Sequence, residues 1–141
     1  MVIDTSALVA VLNDEPERHA FAAAIECDPV RLISAVSVLE ASIVLESRAG
    51  AEKVDDLDLL LAKIGARIVA FTADDIASAR AAYQQFGKGR HPANLNFGDC
   101  FAYALASSTG EPLLFKGNDF AQTDLAPVVL TSDVRSRRGV N

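Results

Sequence analysis

Short apolar runs alternate with longer stretches of helical spacing along nearly the whole chain, and this alternation limits the fold more than any other feature. The runs are Val2–Ile3, Arg31–Ser34, Ala66–Phe71, Leu113–Phe115 and Val128–Leu130. Apolar on consecutive residues, they read as strands buried on both faces rather than as half-exposed hairpin strands. Strands that alternate with helices specify an α/β domain, here a three-layer α/β/α arrangement around a central, largely parallel sheet. In such sheets the crossovers are right-handed and ligands collect beyond the carboxyl ends of the strands. Chemistry is therefore to be sought where strands end.

The helices follow from their start signals and periodicity. Thr5 or Ser6 caps a short helix through Leu12, and Glu15-Pro16 opens a second that carries Phe21, Ala24 and Ile25 on one face. Ser37-Val-Leu-Glu40 matches a capping box, and the run it opens is apolar on most faces until Gly50, which predicts a deeply buried helix. Ala51 to Ile64 has one apolar stripe and an acidic outer face, as a surface helix would. Thr72-Ala-Asp-Asp75 starts another helix, with Ile76, Ala79, Tyr83 and Phe86 on its inner face. Gly87-Lys-Gly-Arg-His-Pro92 interrupts the pattern as the most basic loop of the chain, and Asn94 or Asn96 caps a small-residue helix from Gly98 to Ser108. Residues 1–132 are expected to form one domain and residues 133–141, with Arg135, Arg137 and Arg138, a polar, flexible tail.

Half of the 141 residues are hydrophobic, enough for one substantial core and too few residues for two comfortable domains. Two cysteines without a CxxC spacing give no support to a disulfide framework, and no long uncharged apolar run is present. A soluble, unprocessed, cytoplasmic protein is expected. A net charge of −6 argues against a broadly positive nucleic-acid-binding surface but leaves room for a local basic rim.

Four acids stand where chain leaves the sheet or enters a helix just past it. Asp4 follows the first strand, Glu40 opens the helix after the second, Asp99 opens the small-residue helix, and Asp119 follows Leu113–Phe115. Gathered at one sheet edge, they would repel one another and hold one another's protons unless cations neutralised them. Carboxylates and water suit Mg²⁺ or Mn²⁺, as one ion or two. Such a site suits phosphodiester hydrolysis, with water activation and charge neutralisation at the leaving oxygen supplied by metal. The hydroxyls of Thr5 and Ser6 are placed to orient Asp4 or a bound water. Singly, three of the acids have local structural roles open to them: Glu40 as the third residue of a capping box, Asp99 in a helix's first turn, and Asp119 as a turn residue beside Gly117. Asp4, directly after a buried strand, is the hardest of the four to explain by a local role.

Met1-Val-Ile-Asp-Thr-Ser-Ala-Leu8, the helix start at Glu40, Leu95-Asn-Phe-Gly-Asp-Cys-Phe-Ala-Tyr-Ala-Leu105 and Leu113-Leu-Phe-Lys-Gly-Asn-Asp-Phe120 with Thr123-Asp124 resemble the PIN-domain ribonucleases, specifically the VapC toxins of bacterial toxin–antitoxin pairs. The resemblance spans nearly the whole chain in the family's order. It implies a Mg²⁺- or Mn²⁺-dependent endoribonuclease, inhibition by a cognate VapB-type antitoxin, and a homodimer built through helices of the first half. Asp4 and Asp99 match the family's principal metal-site acids, and Glu40 and Asp119 its supporting ones. Where many relatives have two adjacent acids this chain has Asn118-Asp119, so the fourth role falls to Asp119, with Asp124 as a secondary member and Asn118 trimming the site's charge.

An RNA substrate would meet the metal site through its scissile phosphate, with Lys88, Arg90, His91 and Lys116 as candidates for flanking phosphates. Aromatic residues make up 6% of the chain and tryptophan is absent, which disfavours an extended base-stacking platform. Shape recognition of a structured RNA is expected instead. Neither His19 nor His91 has a carboxylate or nucleophile partner in sequence, and neither is assigned as a catalytic base. A dehalogenase-type phosphatase would need a second acid where Ser6 stands, and the paired acids of a receiver domain are not recognisable. The rival from another class is a catalytically silent PIN-like module acting only through protein binding.

Overall fold

The computed structural model describes residues 1–131; the expected tail at 133–141 lies outside the described residues. Four parallel strands form the sheet: β1 (Val2–Ile3), β2 (Leu32–Ser34), β3 (Arg67–Val69) and β4 (Leu113–Leu114), in the order β3-β2-β1-β4. Helices α1 (Thr5–Leu12), α2 (Arg18–Cys27), α3 (Ala35–Ala49) and α4 (Glu52–Lys63) pack as one layer, and α5 (Ile76–Phe86) and α6 (Asp99–Thr109) as another. The expected three-layer α/β/α fold with a parallel sheet is therefore present.

Register explains how such short strands hold two cores apart. Val2 pairs with Leu32 and Leu113, and their side chains join Ala82, Phe86, Leu95 and Ala102 on the α5–α6 face. One residue on, Ile3 pairs with Leu114 and joins Ile33, Leu8, Ala41, Leu45 and Leu57 on the α1–α4 face. Alternation along each strand sends successive side chains to opposite layers. Ile3 and Ile33 are fully buried. At roughly 25 cal/mol per Å² of apolar area, each such side chain stabilises the fold by about 2 kcal/mol.

Several sequence expectations shift by a turn or by a layer. α1 is capped by Asp4 itself, whose carboxylate accepts the Ser6 N–H, rather than by Thr5 or Ser6. α2 starts at Arg18, after Glu15-Pro16 has been spent in the turn. α3 begins at Ala35 under a Ser34 cap, so Glu40 lies in the second turn and its capping-box role is lost. Nor is α3 deeply buried, since Leu39 and Ile43 are 60% and 59% exposed. β3 is an edge strand with Ile68 half-exposed. Val128–Leu130 does not form a strand; a single bridge pairs the preceding Pro127 with Leu113, in which the Leu113 N–H donates to the Ala126 carbonyl and the Val128 N–H to that of Leu113. On α5 the buried residues are Ala82 and Phe86, while Ile76 and Tyr83 are exposed to solvent. The Thr72–Asp75 box is present, with the Thr72 N–H donating to the Asp75 carboxylate at 2.7 Å, and it opens a 3₁₀ turn before α5.

Strand order sets the place for chemistry. From β1 the chain builds outward through β2 to β3, then returns to place β4 on β1's other side. The crevice past the carboxyl ends of β1 and β4 is therefore the switch point of the sheet.

Candidate active site

Asp4 is the first residue beyond β1, and its N–H donates to the Leu114 carbonyl of β4, which fixes it at that crevice. The residue is 4% exposed. Both of its side-chain hydrogen bonds fall on one oxygen: Oδ2 accepts the Ser6 N–H at 2.9 Å and the Ser6 hydroxyl at 2.6 Å. Among the described residues Oδ1 has no partner. Ser6 Oγ in turn accepts the Lys116 N–H at 2.9 Å, so a single hydroxyl ties Asp4 to the chain leaving β4. Thr5 works differently: its hydroxyl donates to the Ser37 carbonyl at 3.1 Å and clamps α1 to the first turn of α3.

Asp99 is held by a reciprocal pair with Asn96. The Asn96 N–H donates to Asp99 Oδ2 and the Asp99 N–H to Asn96 Oδ1, both at 2.9 Å. Asn96 thus fills the capping role expected of Asn94 or Asn96, three residues ahead of the start of α6 at Asp99. Gly98 brings Glu40 into the group, because a Cβ at position 98 would overlap Glu40 Oε2. The missing side chain is the space the Glu40 carboxylate occupies. Asp119 directly precedes a 3₁₀ turn, Phe120–Gln122, after β4, makes no side-chain capping bond to it and is exposed.

Asp4, Glu40, Asp99 and Asp119 line one cleft of about 500 Å³ together with Thr5, Ser6 and Asn96. Their electrostatics are coupled. Burial is the main cause that raises the Asp99 carboxyl to about 7, and the charges of Asp4, Asp119 and Glu40 push in the same direction. Burial likewise raises Asp4, against its bonds to Ser6 and with help from Glu40. Among the described residues, no group of three or more acid, histidine or cysteine side chains is arranged so that it could hold a metal ion. The donor set still fits a hard divalent cation, which commonly takes one or two protein carboxylates and completes its shell with water. The unpartnered Oδ1 of a carboxyl that is otherwise buried is the strongest sign of that fit.

Not every sequence candidate arrives at this cleft. Asp124 accepts the Tyr103 hydroxyl at 2.6 Å and does not line the cleft wall, so it braces α6. Asn118 is exposed between the lining residues Gly117 and Asp119. Lys116 reaches the cleft but is ion-paired with Glu15 and, at 3.2 Å, with Glu17. His91 Nδ1 accepts the Ala93 N–H at 3.1 Å and its ring meets Phe86 edge-on, which makes it a turn residue. Lys88 and Arg90 are exposed, with the Arg90 guanidinium 5.6 Å from the centre of the Tyr83 ring. Among the lining residues that are not sequence candidates is a cation, Arg48. Its spacing of four from Val44 and eight from Glu40 is the signal that one helix face carries all three.

A PIN domain family model matches residues 1–125. Over 130 residues the chain is 55% identical to ribonuclease VapC30 of Mycobacterium tuberculosis, which covers 92% of this chain and 99% of the relative. Among solved structures, M. tuberculosis VapC20, described as a sarcin-ricin-loop-cleaving toxin, superposes with a TM-score of 0.75 at 18% identity, covering 90% of this chain and 97% of that one. VapBC2 of Rickettsia felis, described as bound to a DNA fragment from its promoter, superposes with a TM-score of 0.70 at 17% identity, covering 92% and 97%.

Proposed function

From the premise that this chain belongs to the PIN-domain family and stands among the VapC ribonucleases, we propose that it is a metal-dependent endoribonuclease toxin neutralised by a cognate antitoxin. The observation that carries the metal reading is Asp4, a buried carboxyl at the switch point with one oxygen engaged by Ser6 and the other without a hydrogen-bond partner among the described residues, in a cleft it shares with three further acids. Asp4 and Asp99 are its principal ligands in this proposal, and Glu40 and Asp119 support them from the walls of the same cleft. A bound Mg²⁺ or Mn²⁺ would supply neutralisation of these charges and activation of water.

The chain's own residues provide the positioning. Ser6 keeps Asp4 Oδ2 engaged, so that Oδ1 is the oxygen available to a ligand. Asn96 does the same for Asp99 through Oδ2. Gly98 lets Glu40 approach. Fixed carboxylates cost little reorganisation when charge develops at a scissile phosphate. Lys88 and Arg90 are the flanking-phosphate contacts we retain, while Lys116 is better regarded as bracing the cleft rim through Glu15 and Glu17.

Antitoxin inhibition would follow from covering this cleft, with a basic side chain competing for the acids. The R. felis neighbour, a VapBC complex, supports an antitoxin of VapB type. A homodimer would use α3, where Leu39 and Ile43 lie one turn apart and exposed. No helix among the described residues is long and apolar enough to cross a membrane, and a cytoplasmic site of action is part of the proposal. The rival reading as a silent binding module gains no support from a chain that lines one cleft with all four acids.

The test in cells is the mapping of RNA ends after brief induction, with Asp4→Asn as control. New 5′ ends at a defined site in the wild type, absent from the control, are the expected result. Identical ends in both strains would refute the assignment of Asp4.

A further inference from the structure

A second groove, of about 630 Å³, lies beside the acidic cleft and shares Asn96 with it. Its walls are Phe71, Ile76, Tyr83, Phe97 and Phe101. Phe97 is 77% exposed, an unusual place for a phenyl ring, and it occupies the two-residue turn between Asn96 and Asp99. The reciprocal Asn96–Asp99 bonds hold that turn, so the backbone that carries the ring is fixed. It meets Phe101 edge-on at 4.9 Å, and Phe101 meets Phe71 edge-on at 4.7 Å. This ladder supports Phe97 from behind and leaves it open to solvent. A groove of this volume, walled by aromatic side chains and rimmed by a few polar ones, has the form of a ligand site.

Charge identifies the occupant. Arg80 and Lys88 also line the groove, and neither makes an ion pair among the described residues. Arg90 stands over Tyr83 on the same wall. In a chain of net charge −6, a patch of basic side chains around an aromatic ladder is complementary to a ligand with an apolar face and an anionic linkage. A nucleotide has both. The shared Asn96 puts this patch next to the acids that would receive a scissile phosphate. We infer that the Phe97 groove is a single-base pocket that takes one unpaired nucleotide of the RNA substrate beside the cleavage site, with the base against Phe97 and a backbone phosphate held by Lys88 or Arg80. This rests on the ribonuclease reading above. Low aromatic content is no obstacle, since one pocket needs only the few rings that are concentrated here. RNA recognised by shape commonly offers such a splayed base from a loop or bulge.

The test is fluorescence anisotropy with labelled single-stranded RNA hexanucleotides of adenosine, cytidine or uridine, and with an abasic hexamer of the same charge. The full chain carries Asp4→Asn throughout, so that no probe is cut. Phe97→Ala should weaken binding of the base-bearing hexamers by roughly tenfold or more, the loss expected for one stacked base, and should leave the abasic hexamer unaffected. Phe97→Tyr should restore binding. Lys88→Ala should lower the salt dependence for all probes by about one counterion. The inference is overturned if Phe97→Ala binds every hexamer as tightly as its parent, or if it weakens the abasic hexamer equally. It is also overturned if Phe97→Ala changes only the oligomeric state or antitoxin binding, because the groove then belongs to a protein partner. The two readings fail separately: loss of the ribonuclease reading appears as no cleavage by protein with Asp4 intact, whatever Phe97 does to binding.

Discussion

The carboxylate of Glu40 occupies the place a side chain at position 98 would take, its Oε2 overlapping the point where the Cβ of Gly98 would be built. An acid on α3 and a glycine at the mouth of α6 are thus one feature, although they stand 58 positions apart in sequence. Gly98 has an ordinary helical φ of −62°, so its need is for space and not for backbone freedom.

Gly98→Ala should therefore spare the fold and displace Glu40. We expect a melting temperature within a few degrees of wild type and a loss of cleavage of roughly tenfold or more. Glu40→Gln should cost a similar amount, and the double variant little more than either alone, since both remove the same carboxylate. A full additive loss in kinetic assays would show that Gly98 acts through something other than Glu40.

Asp99 links the site to stability. Its carboxyl is raised from 3.8 to about 7 in the fold, chiefly by burial and further by Asp4, Asp119 and Glu40. Between those values the native state keeps a proton that the unfolded chain has released, so stability falls as pH rises from about 4 to about 7 and is level above that. Asp4, also raised, contributes with the same sign. Asp99→Asn should flatten this slope and raise the melting temperature of metal-free protein at pH 8 by several degrees. Thermal scans in chelator at pH 5 and pH 8 check this, and parallel wild-type and variant profiles would contradict it.

Ser6 is where the first strand and the fourth meet through one hydroxyl, between Asp4 Oδ2 and the Lys116 N–H. Ser6→Ala removes both hydroxyl bonds and leaves Asp4 Oδ2 held by the Ser6 N–H alone. Loss of a supporting bond of this kind costs roughly 10- to 100-fold in metal affinity or activity. Calorimetric titration with Mn²⁺ should show the weaker affinity with unchanged folding.

Asp124 and Tyr103 make the complementary case. Their 2.6 Å bond lies off the cleft, and Tyr103 is held above its ordinary pKa chiefly by burial and then by Asp124. Tyr103→Phe should destabilise the fold by about 1.5 to 3 kcal/mol, the usual range for a hydrogen bond to a charged group. Cleavage by the surviving folded protein should be unchanged, as should cleavage by Asp124→Asn. A loss of Mn²⁺ affinity in either would return Asp124 to the metal site.

What could be read from sequence was what local pattern determines. Consecutive apolar residues marked Val2–Ile3 and Leu113–Leu114 as strands, and an acid at each strand end marked the edge to search. What could not be read depended on packing across the sheet. Glu40 looked like a capping residue because Ser37 precedes it by three, yet Ser34 caps the helix and places Glu40 a turn further in. The periodicity of α5 put Tyr83 inside, whereas Ala82 and Phe86 are buried and Tyr83 faces the Phe97 groove. Lys116 read as a free cation because its partners Glu15 and Glu17 are about a hundred residues away in the chain.

At the centre of the proposal, Asp4 and its neighbouring acids hold the metal that cleaves RNA. The most direct measurement is cleavage of RNA by purified, antitoxin-free protein, first stripped with chelator and then titrated with Mn²⁺ or Mg²⁺, for wild type, Asp4→Asn and Asp99→Asn. Wild-type cleavage should appear only with metal, while both variants, folded by circular dichroism, should stay inactive at every concentration. Cleavage that persists in chelator, or Asp4→Asn protein as active as wild type, would contradict the proposal.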